Sequence, residues 1–266
     1  MPTPVIVTTS WDDGPVADLR MAELLAAHGL PATFYVPIKG HHASERISSS
    51  DLRAIAMMDF EIGAHGVSHP DLTLCTPAGL KFEVEASGQQ LEDELGLAVR
   101  MFAYPQGRLN KRVLSAVECA GYCGARTTRM LARGIYFDPF QMPTSVQAYP
   151  HSTPAYLRNL VRSFSIVRTA EYLSRLQQSR NWVQLAKALF DAVMHKGGIW
   201  HLYGHSWEVE EMQLWNGLEE IFSYVAQRPG VLYLSNSKVL SLAPQESRAS
   251  SLAGSASASR RHSAAR

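Results

Sequence analysis

An apolar run that ends in two adjacent acids opens the sequence, where residues 4–15 are PVIVTTSWDDGP. The segment VIVTTS predicts a strand, and Asp-Gly-Pro is typical of a turn that leads into a helix. Adjacent carboxylates repel each other, and the end of a strand solvates two charges poorly. Two interpretations are open for Asp12 and Asp13: a capped loop, or a functional site that needs both acids.

Strand and helix patterns alternate along the rest of the chain. Predicted strands follow the first one at 32–37, 60–65, 99–105, 121–127, 198–207 and 231–235. Predicted helices begin at Pro15 and cover roughly 77–95, 110–120, 181–195 and 208–227. The apolar stripe of the last helix, from Val209 through Met212 and Trp215 to Val225, is interpreted as core packing. Strand–helix alternation implies a parallel sheet, either open or closed into a barrel.

The composition disfavours several functional classes. The 266 residues carry a formal net charge of +1, which argues against nucleic acid or an anionic membrane as the main partner. No apolar run reaches the roughly 20 residues of a membrane span. Cys75, Cys119 and Cys123 are predicted to be free thiols. The first residues lack the basic region of a secretory signal, so a cytoplasmic location is expected unless an upstream start site has been lost.

Histidines gather at the predicted carboxyl ends of strands, where parallel α/β folds place their sites. His65 and His69 follow the third strand in HGVSHP, and His205 lies in the late segment HLYGHSWE. A single histidine is more often a hydrogen-bonded structural residue. Two imidazoles with one carboxylate of the Asp pair, however, are a standard set for a divalent metal with positions left open for water.

This ordered set of motifs resembles the polysaccharide deacetylase family, also called the NodB-homology or carbohydrate esterase 4 group. The motifs are DDG at 12–14, GLPATFYVP at 29–37, H-x-x-x-H at 65–69 and P-x-G at 105–107, and the similarity covers roughly residues 5–243. The resemblance implies a distorted (β/α) barrel of about seven parallel strands. It also implies hydrolysis of N-acetyl groups from amino sugars with one bound divalent metal, zinc first, with cobalt, nickel or manganese as alternatives.

Carried over by position, the resemblance makes Asp12 the general base. It makes Asp13 a metal ligand together with His65 and His69. A divalent cation would neutralise the site and give the two acids separate roles, which explains the pair. Backbone N–H groups in the AYPQG turn would stabilise the oxyanion. His205 is the predicted proton donor to the leaving amine.

The histidine that donates this proton is chosen between two candidates. GHSWE resembles the GHS-[YW]-E string of one deacetylase branch, which favours His205. His201 is the rival, four residues earlier on the same strand and therefore on the same face but deeper in the barrel.

The chain departs from the family pattern at the F-R-x-P-Y string. Ala103 stands where many members have Arg, and Gln106 stands at the Tyr position. Arg126, in an ARTT string after the next strand, is a candidate for the missing cation that orients the base, with a surface salt bridge as the alternative. The acid that orients the catalytic histidine in the family is not found, and His151 is at most a residue at the rim of the site.

These observations predict a metal-dependent amidohydrolase domain over residues 1–243, acting on a small or oligosaccharide N-acylated amino sugar. The alternatives are a hydrolase of small or cyclic amides, of the imidase and allantoinase type, and a non-catalytic sugar-binding relative. Residues 244–266 are rich in Ser, Ala and Arg and are predicted to be a disordered tail. A solvated tail is preferred over one that contacts anionic surfaces.

Overall fold

The computed structural model describes residues 3–40, 45–151 and 181–242, so the predicted tail at 244–266 lies outside the described residues. The strands are β1 (Val5–Asp12), β2 (Thr33–Val36), β3 (Glu61–Ala64), β4 (Met101–Ala103), β5 (Gly124–Arg126), β6 (Val146–Gln147), β7 (Gly198–Gly204) and β8 (Val231–Tyr233). Each of the seven strand segments predicted from the sequence overlaps one of these strands, and the two-residue β6 is additional.

The strands form one parallel sheet in the order β5-β4-β3-β2-β1-β7-β6. β7 pairs along nearly the whole of β1, and the opposite edge of β1 is shared by β8 near its start and β2 near its end. The sheet curls so that its two ends, β5 and β6, come close to each other. The evidence is a hydrogen bond of 2.9 Å from the backbone N–H of Met142, just before β6, to the Ala125 carbonyl of β5. The predicted distorted (β/α) barrel is confirmed.

Helices cover the outside of this sheet. They are α1 (Asp18–His28), α2 (Ser49–Met57), α3 (Pro77–Leu95), α4 (Lys111–Cys119), α5 (Trp182–Lys196), α6 (Ser206–Glu211), α7 (Trp215–Val225) and α8 (Asn236–Leu242). Side-chain oxygens cap several of their first turns: Asn110 accepts from the Val113 N–H, and Asn181 accepts from the Gln184 N–H. Asn181 is therefore the N-cap that the sequence predicts.

The single helix predicted over 208–227 is wrong. Two helices, α6 and α7, replace it, and Gln213 between them has a φ of 54°, a left-handed conformation that an α-helix cannot contain. The break turns Met212 outward, where 41% of it is exposed, although Val209 and Trp215 are buried as expected. The sequence analysis also did not identify α2 and α8.

β1 is the centre of the core, because every residue from Ile6 to Asp12 is buried. Such a continuous buried run is expected of a parallel strand that is covered on both faces. None of the helices in the described ranges is long and apolar enough to cross a membrane. Cys75, Cys119 and Cys123 are free thiols, as predicted.

Candidate active site

The carboxyl ends of four strands bring the candidate residues to one end of the barrel. Asp12 is the last residue of β1 and Arg126 is the last residue of β5. His65 directly follows β3, and His205 directly follows β7. Because all strands are parallel, their carboxyl ends lie at the same end of the barrel, where sites of (β/α) barrels form.

The backbone turns sharply after Asp12, so that the two acids face different neighbours. Asp13 has a φ of 76° and Gly14 a φ of 58°, both left-handed. A Cβ on Gly14 would lie 2.7 Å from Val36 Cγ1, so the turn needs glycine there. Both carboxylate oxygens of Asp12 accept hydrogen bonds from Arg126 Nη2. The Asp13 carboxylate instead faces histidines.

Asp13, His65 and His69 form a compact group of potential metal ligands, whose donor atoms lie within 4.8 Å of one another. Asp13 Oδ1 is 3.6 Å from His65 Nε2 and 3.3 Å from His69 Nε2. One carboxylate oxygen and two imidazole nitrogens are the donors that zinc and similar divalent ions prefer. The residues present therefore fit such an ion.

The protonation state of His65 also suits a ligand. Its Nδ1 donates to the Ala103 carbonyl over 2.8 Å, which leaves the lone pair of the neutral ring on Nε2, facing Asp13. Burial lowers the pKa of His65, although the charges of Asp12 and Asp13 oppose this effect. For Asp13, burial would raise the pKa, and the charge of His205 and other neighbours hold it below its ordinary value.

A buried acid from α3 holds the loop between the two histidines. Glu83 accepts hydrogen bonds from the backbone N–H groups of Val67 (2.8 Å) and Ser68 (2.9 Å) and from the Ser68 hydroxyl (2.6 Å). These bonds fix the tight turn in which His69 adopts a left-handed φ of 55°. The sequence analysis did not identify Glu83, which lies in the helix predicted over 77–95.

His205 lies close to both Asp12 and Asp13. Its Nε2 is 4.0 Å from Asp12 Oδ2 and 3.9 Å from Asp13 Oδ2, and its Nδ1 donates to Glu208 Oε2 over 2.6 Å. Burial alone would lower the pKa of His205. The hydrogen bond to Glu208 and the charges of Asp12 and Asp13 outweigh burial and raise the pKa to about 9. The ring is therefore protonated at neutral pH in the metal-free protein.

Glu208 is the acid that orients His205, and the sequence analysis missed it. Glu208 Oε2 also accepts from Gln147 Nε2 over 3.2 Å, while Gln147 Oε1 accepts from the Tyr203 hydroxyl and from His151 Nε2, each over 2.7 Å. The spacing in GHSWE could have indicated this contact, because His205 and Glu208 are three positions apart and side chains at that spacing can meet at the start of a helix. His151 contacts this network through Gln147.

Arg126 lies inside the barrel and not on its surface, with 1% of it exposed. The guanidinium carbon is 5.1 Å from the ring centre of Tyr35 and 5.1 Å from that of Tyr203. Among the described residues, its Nε and Nη1 have no hydrogen-bond partner. The cation is thus confined between two aromatic rings, a favourable desolvated cation–π arrangement, with Asp12 as its hydrogen-bonded acid.

His201 is separated from this group by its own hydrogen bonds. It is buried in β7, where Nδ1 donates to the Pro143 carbonyl (3.1 Å) and Nε2 accepts from the Ser10 hydroxyl (2.9 Å). Burial, with the nearby Arg126 charge, lowers the pKa of His201 to about 3. A neutral ring with a hydrogen bond at each nitrogen has no additional proton to donate at neutral pH, so His201 is poorly suited to proton transfer.

The two departures from the family string occupy different environments. Ala103 is fully buried at the end of β4 and stands opposite Arg126 in the β4–β5 register. Gln106 has an exposed side chain and a left-handed φ of 58° in a short 3-10 turn.

Comparisons with known proteins agree with this architecture. A family model described as polysaccharide deacetylase matches residues 2–125. A chitooligosaccharide deacetylase from Rhizobium leguminosarum bv. trifolii is 29% identical over 115 residues, which are 42% of this chain and 51% of that protein. YxkH from Bacillus subtilis (strain 168), named provisionally as a polysaccharide deacetylase, is 25% identical over 128 residues, or 48% of this chain and 46% of that protein. The chain thus matches about half the length of these curated relatives.

Solved structures share the fold at low sequence identity. A protein from Mycobacterium smegmatis, named provisionally as a polysaccharide deacetylase, is 18% identical with a TM-score of 0.67, covering 94% of this chain and 96% of that one. A family 4 carbohydrate esterase from Streptomyces lividans is 16% identical with a TM-score of 0.54, covering 87% and 92%. A mutant of BA3943, described as a CE4 family pseudoenzyme, is 15% identical with a TM-score of 0.53, covering 90% and 68%.

The fold is thus that of the carbohydrate esterase 4 barrels. The matching family model adds sequence evidence, and the resemblance seen in the motifs is confirmed: residues 2–125 match the polysaccharide deacetylase family.

Proposed function

We propose that this protein is a metal-dependent hydrolase that removes the acetyl group from an N-acetylated amino sugar or its oligomers. The observation that carries the proposal is the arrangement at one end of the barrel. Three potential metal ligands adjoin an acid held by a buried arginine and a histidine held by a second acid. A protein that only binds sugar needs neither a base nor a proton donor beside a metal.

Asp13, His65 and His69 would hold one divalent ion, with zinc as the first choice. Such an ion, when bound, polarises an amide carbonyl and acidifies water. The three ligands leave coordination positions that a water and a substrate oxygen can use. The four strand ends and the loops around them supply the walls of the site.

Asp12 would act as the general base. Its two oxygens both accept hydrogen bonds from Arg126 Nη2, so the guanidinium holds the carboxylate in one orientation. A base held in one orientation accepts the proton of the attacking water without first having to find the right rotamer.

His205 would donate a proton to the nitrogen of the leaving amine. Its Nδ1 is committed to Glu208, so Nε2, about equally distant from both aspartates, is the atom that faces the reacting group. Glu208 fixes the ring orientation and stabilises the charged imidazolium, which is the role an acid partner has beside a catalytic histidine. Hydrogen bonds from Gln147 keep Glu208 in place.

A deacetylation assay tests this proposal. The protein, loaded with Zn²⁺ or Co²⁺, is incubated with N-acetylated amino sugars, chito-oligosaccharides and cyclic ureides, and released acetate or opened ring is measured. We expect acetate from the sugars and a loss of about 10²–10⁴ in rate for Asp12→Asn with metal content unchanged. Asp191→Asn, which changes an exposed acid on α5, is the control and keeps the parent's rate.

The other outcomes separate the alternatives. Turnover confined to the cyclic ureides would favour the imidase-type hydrolase. Sugar binding without acetate release by the metal-loaded protein would favour a non-catalytic relative. Loss of metal from Asp12→Asn would mean that the roles of Asp12 and Asp13 are exchanged.

A further inference from the structure

The two oxygens of Asp13 have different neighbours. Oδ1 faces the imidazoles, at 3.3 Å from His69 Nε2 and 3.6 Å from His65 Nε2. Oδ2 accepts a hydrogen bond from the indole N–H of Trp207 over 2.9 Å. One carboxylate oxygen is therefore directed at the other potential ligands, and the other is bound by a residue from a distant part of the chain.

The helix that carries Trp207 is anchored on both sides of this residue. The preceding Ser206 donates from its hydroxyl to the buried Asp18 Oδ1 over 2.6 Å, which ties the start of α6 to α1. The following Glu208 bonds to His205, and Val209 is fully buried. The indole is thus presented to Asp13 from a turn that has little freedom to move.

We propose that Trp207 is a positioning residue for the metal site: its indole N–H holds Asp13 so that Oδ1 alone is offered as a ligand. The inference rests on the metal site of the proposed function. An indole nitrogen donates one hydrogen bond and accepts none, so it can bind a carboxylate but cannot itself ligate a metal. By occupying Oδ2, it opposes rotation of the carboxylate and opposes coordination through both oxygens.

The inference predicts a defined loss of metal affinity. Residues that orient ligands from outside the coordination sphere typically change affinity by about 10–100-fold when they are replaced. Trp207→Phe keeps an aromatic ring and removes the donor. We therefore expect Trp207→Phe to bind Zn²⁺ roughly 10–100-fold more weakly than the parent. We also expect a changed visible spectrum of bound Co²⁺, because freeing Oδ2 alters the coordination of the ion.

The chain offers a matched control in Trp215. Its indole N–H also donates to a carboxylate, Glu210 Oε2, over 2.7 Å, but neither residue belongs to the proposed metal site. Trp215→Phe removes the same kind of hydrogen bond, and we expect it to leave both Zn²⁺ affinity and the Co²⁺ spectrum unchanged. Thermal melting of the metal-free variants measures any loss of fold stability separately.

Calorimetric titration of the parent and both variants with Zn²⁺ decides the inference. A Trp207→Phe affinity within about fivefold of the parent, or an equal loss in Trp215→Phe, would overturn it. A parent that binds no Zn²⁺ would overturn the metal site itself and the inference with it. Tight binding by the parent and by Trp207→Phe alike would leave the proposed function standing and refute only the role of Trp207.

Discussion

At the scale of single residues, the adjacent acids Asp12 and Asp13 separate because the backbone changes hand between them. The strand conformation of Asp12 directs its carboxylate toward Arg126, and the left-handed Asp13 directs its own toward His65 and His69. The Asp12 carboxylate thus faces a guanidinium, and the Asp13 carboxylate faces two imidazoles. Two acids that repel each other in an unfolded chain have different partners in the folded one.

Arg126 should be essential to turnover but not to metal binding. Arg126→Ala leaves Asp12 without the cation that orients it, and misplacing a catalytic group can cost about 10²-fold in rate. We expect a loss of that size in acetate release with metal content intact. Breaking a buried ion pair also destabilises a protein by about 3–5 kcal/mol, so urea unfolding of the variant is measured alongside.

A second substitution separates positioning from stability. Ala103 stands opposite Arg126 in the register of β4 and β5, so the double change Ala103→Arg, Arg126→Ala returns a cation to the neighbouring strand end. We expect it to recover part of the rate. Arg129→Ala, at an exposed position, is the control. Parent-like turnover by Arg126→Ala would show that something else orients Asp12.

Sequence reasoning identified the residues of the site better than it identified the residues that hold them. Asp13, His65 and His69 carry a recognisable pattern of types and spacing, and the structure brings them together. Glu83 carries no such pattern, and the GHSWE string that contains Trp207 does not indicate what its indole contacts. The partners of both residues are 15 or more positions away, and the direction of each side chain depends on tertiary packing.

At the scale of elements, one histidine within β7 and one directly after it have opposite properties. His201 and His205 are four residues apart, which is about 13 Å along an extended strand. His201 is buried within the strand and bonded on both ring nitrogens, whereas His205 lies just past the strand end and bonds to Glu208. Position along one element thus decides which ring remains neutral and which is charged.

The neutral state of His201 should make the fold acid-sensitive. Its folded pKa of about 3 lies below the ordinary 6.5, so between these values the unfolded chain binds more protons and stability falls as pH falls. By linkage, the neutral state of His201 makes the free energy of unfolding about 2 kcal/mol lower at pH 5 than at pH 8. His201→Asn keeps a donor for the Pro143 carbonyl and cannot titrate. We therefore expect the His201→Asn variant to lose this difference in the free energy of unfolding between pH 5 and pH 8.

Urea unfolding of the parent and of His201→Asn at pH 5 and pH 8 gives the change in unfolding free energy between the two pH values for each protein. Subtracting one change from the other cancels the titration of the groups that both proteins share. His195→Asn, on the exposed face of α5, is the control and should keep the parent's pH dependence. If His201→Asn keeps it as well, His201 does not remain neutral in the folded protein for the reason given.

The sequence predicted the starts of two helices correctly where a capping residue marks them. α3 and α5 begin after the side-chain caps Thr76 and Asn181, within one residue of the predicted starts. The break between α6 and α7 has no proline or glycine to mark it, since the left-handed residue there is Gln213. It follows from the anchoring of α6 to α1 and to the site, which is a tertiary constraint.

At the scale of the whole molecule, the curled sheet assembles the site from elements that are distant in sequence. Asp13 comes from the first strand end, whereas His65 and His69 come from the third, with β2 between them in the sheet. The unfolded chain cannot hold these groups within 4.8 Å of one another. If these residues bind a metal as proposed, we expect its binding to be coupled to folding of the barrel.

This coupling predicts that the metal stabilises the barrel. An ion that binds only the folded state adds about 2.7 kcal/mol at a free concentration of 100 times its dissociation constant. For a chain of this size that corresponds to a rise in melting temperature of roughly 5–10 °C, measured by thermal denaturation with Zn²⁺ and after chelation. The double variant His65→Ala, His69→Ala should show no rise, and Asp12→Asn should show the full one. A rise that survives the loss of both histidines would place the stabilising ion elsewhere in the molecule.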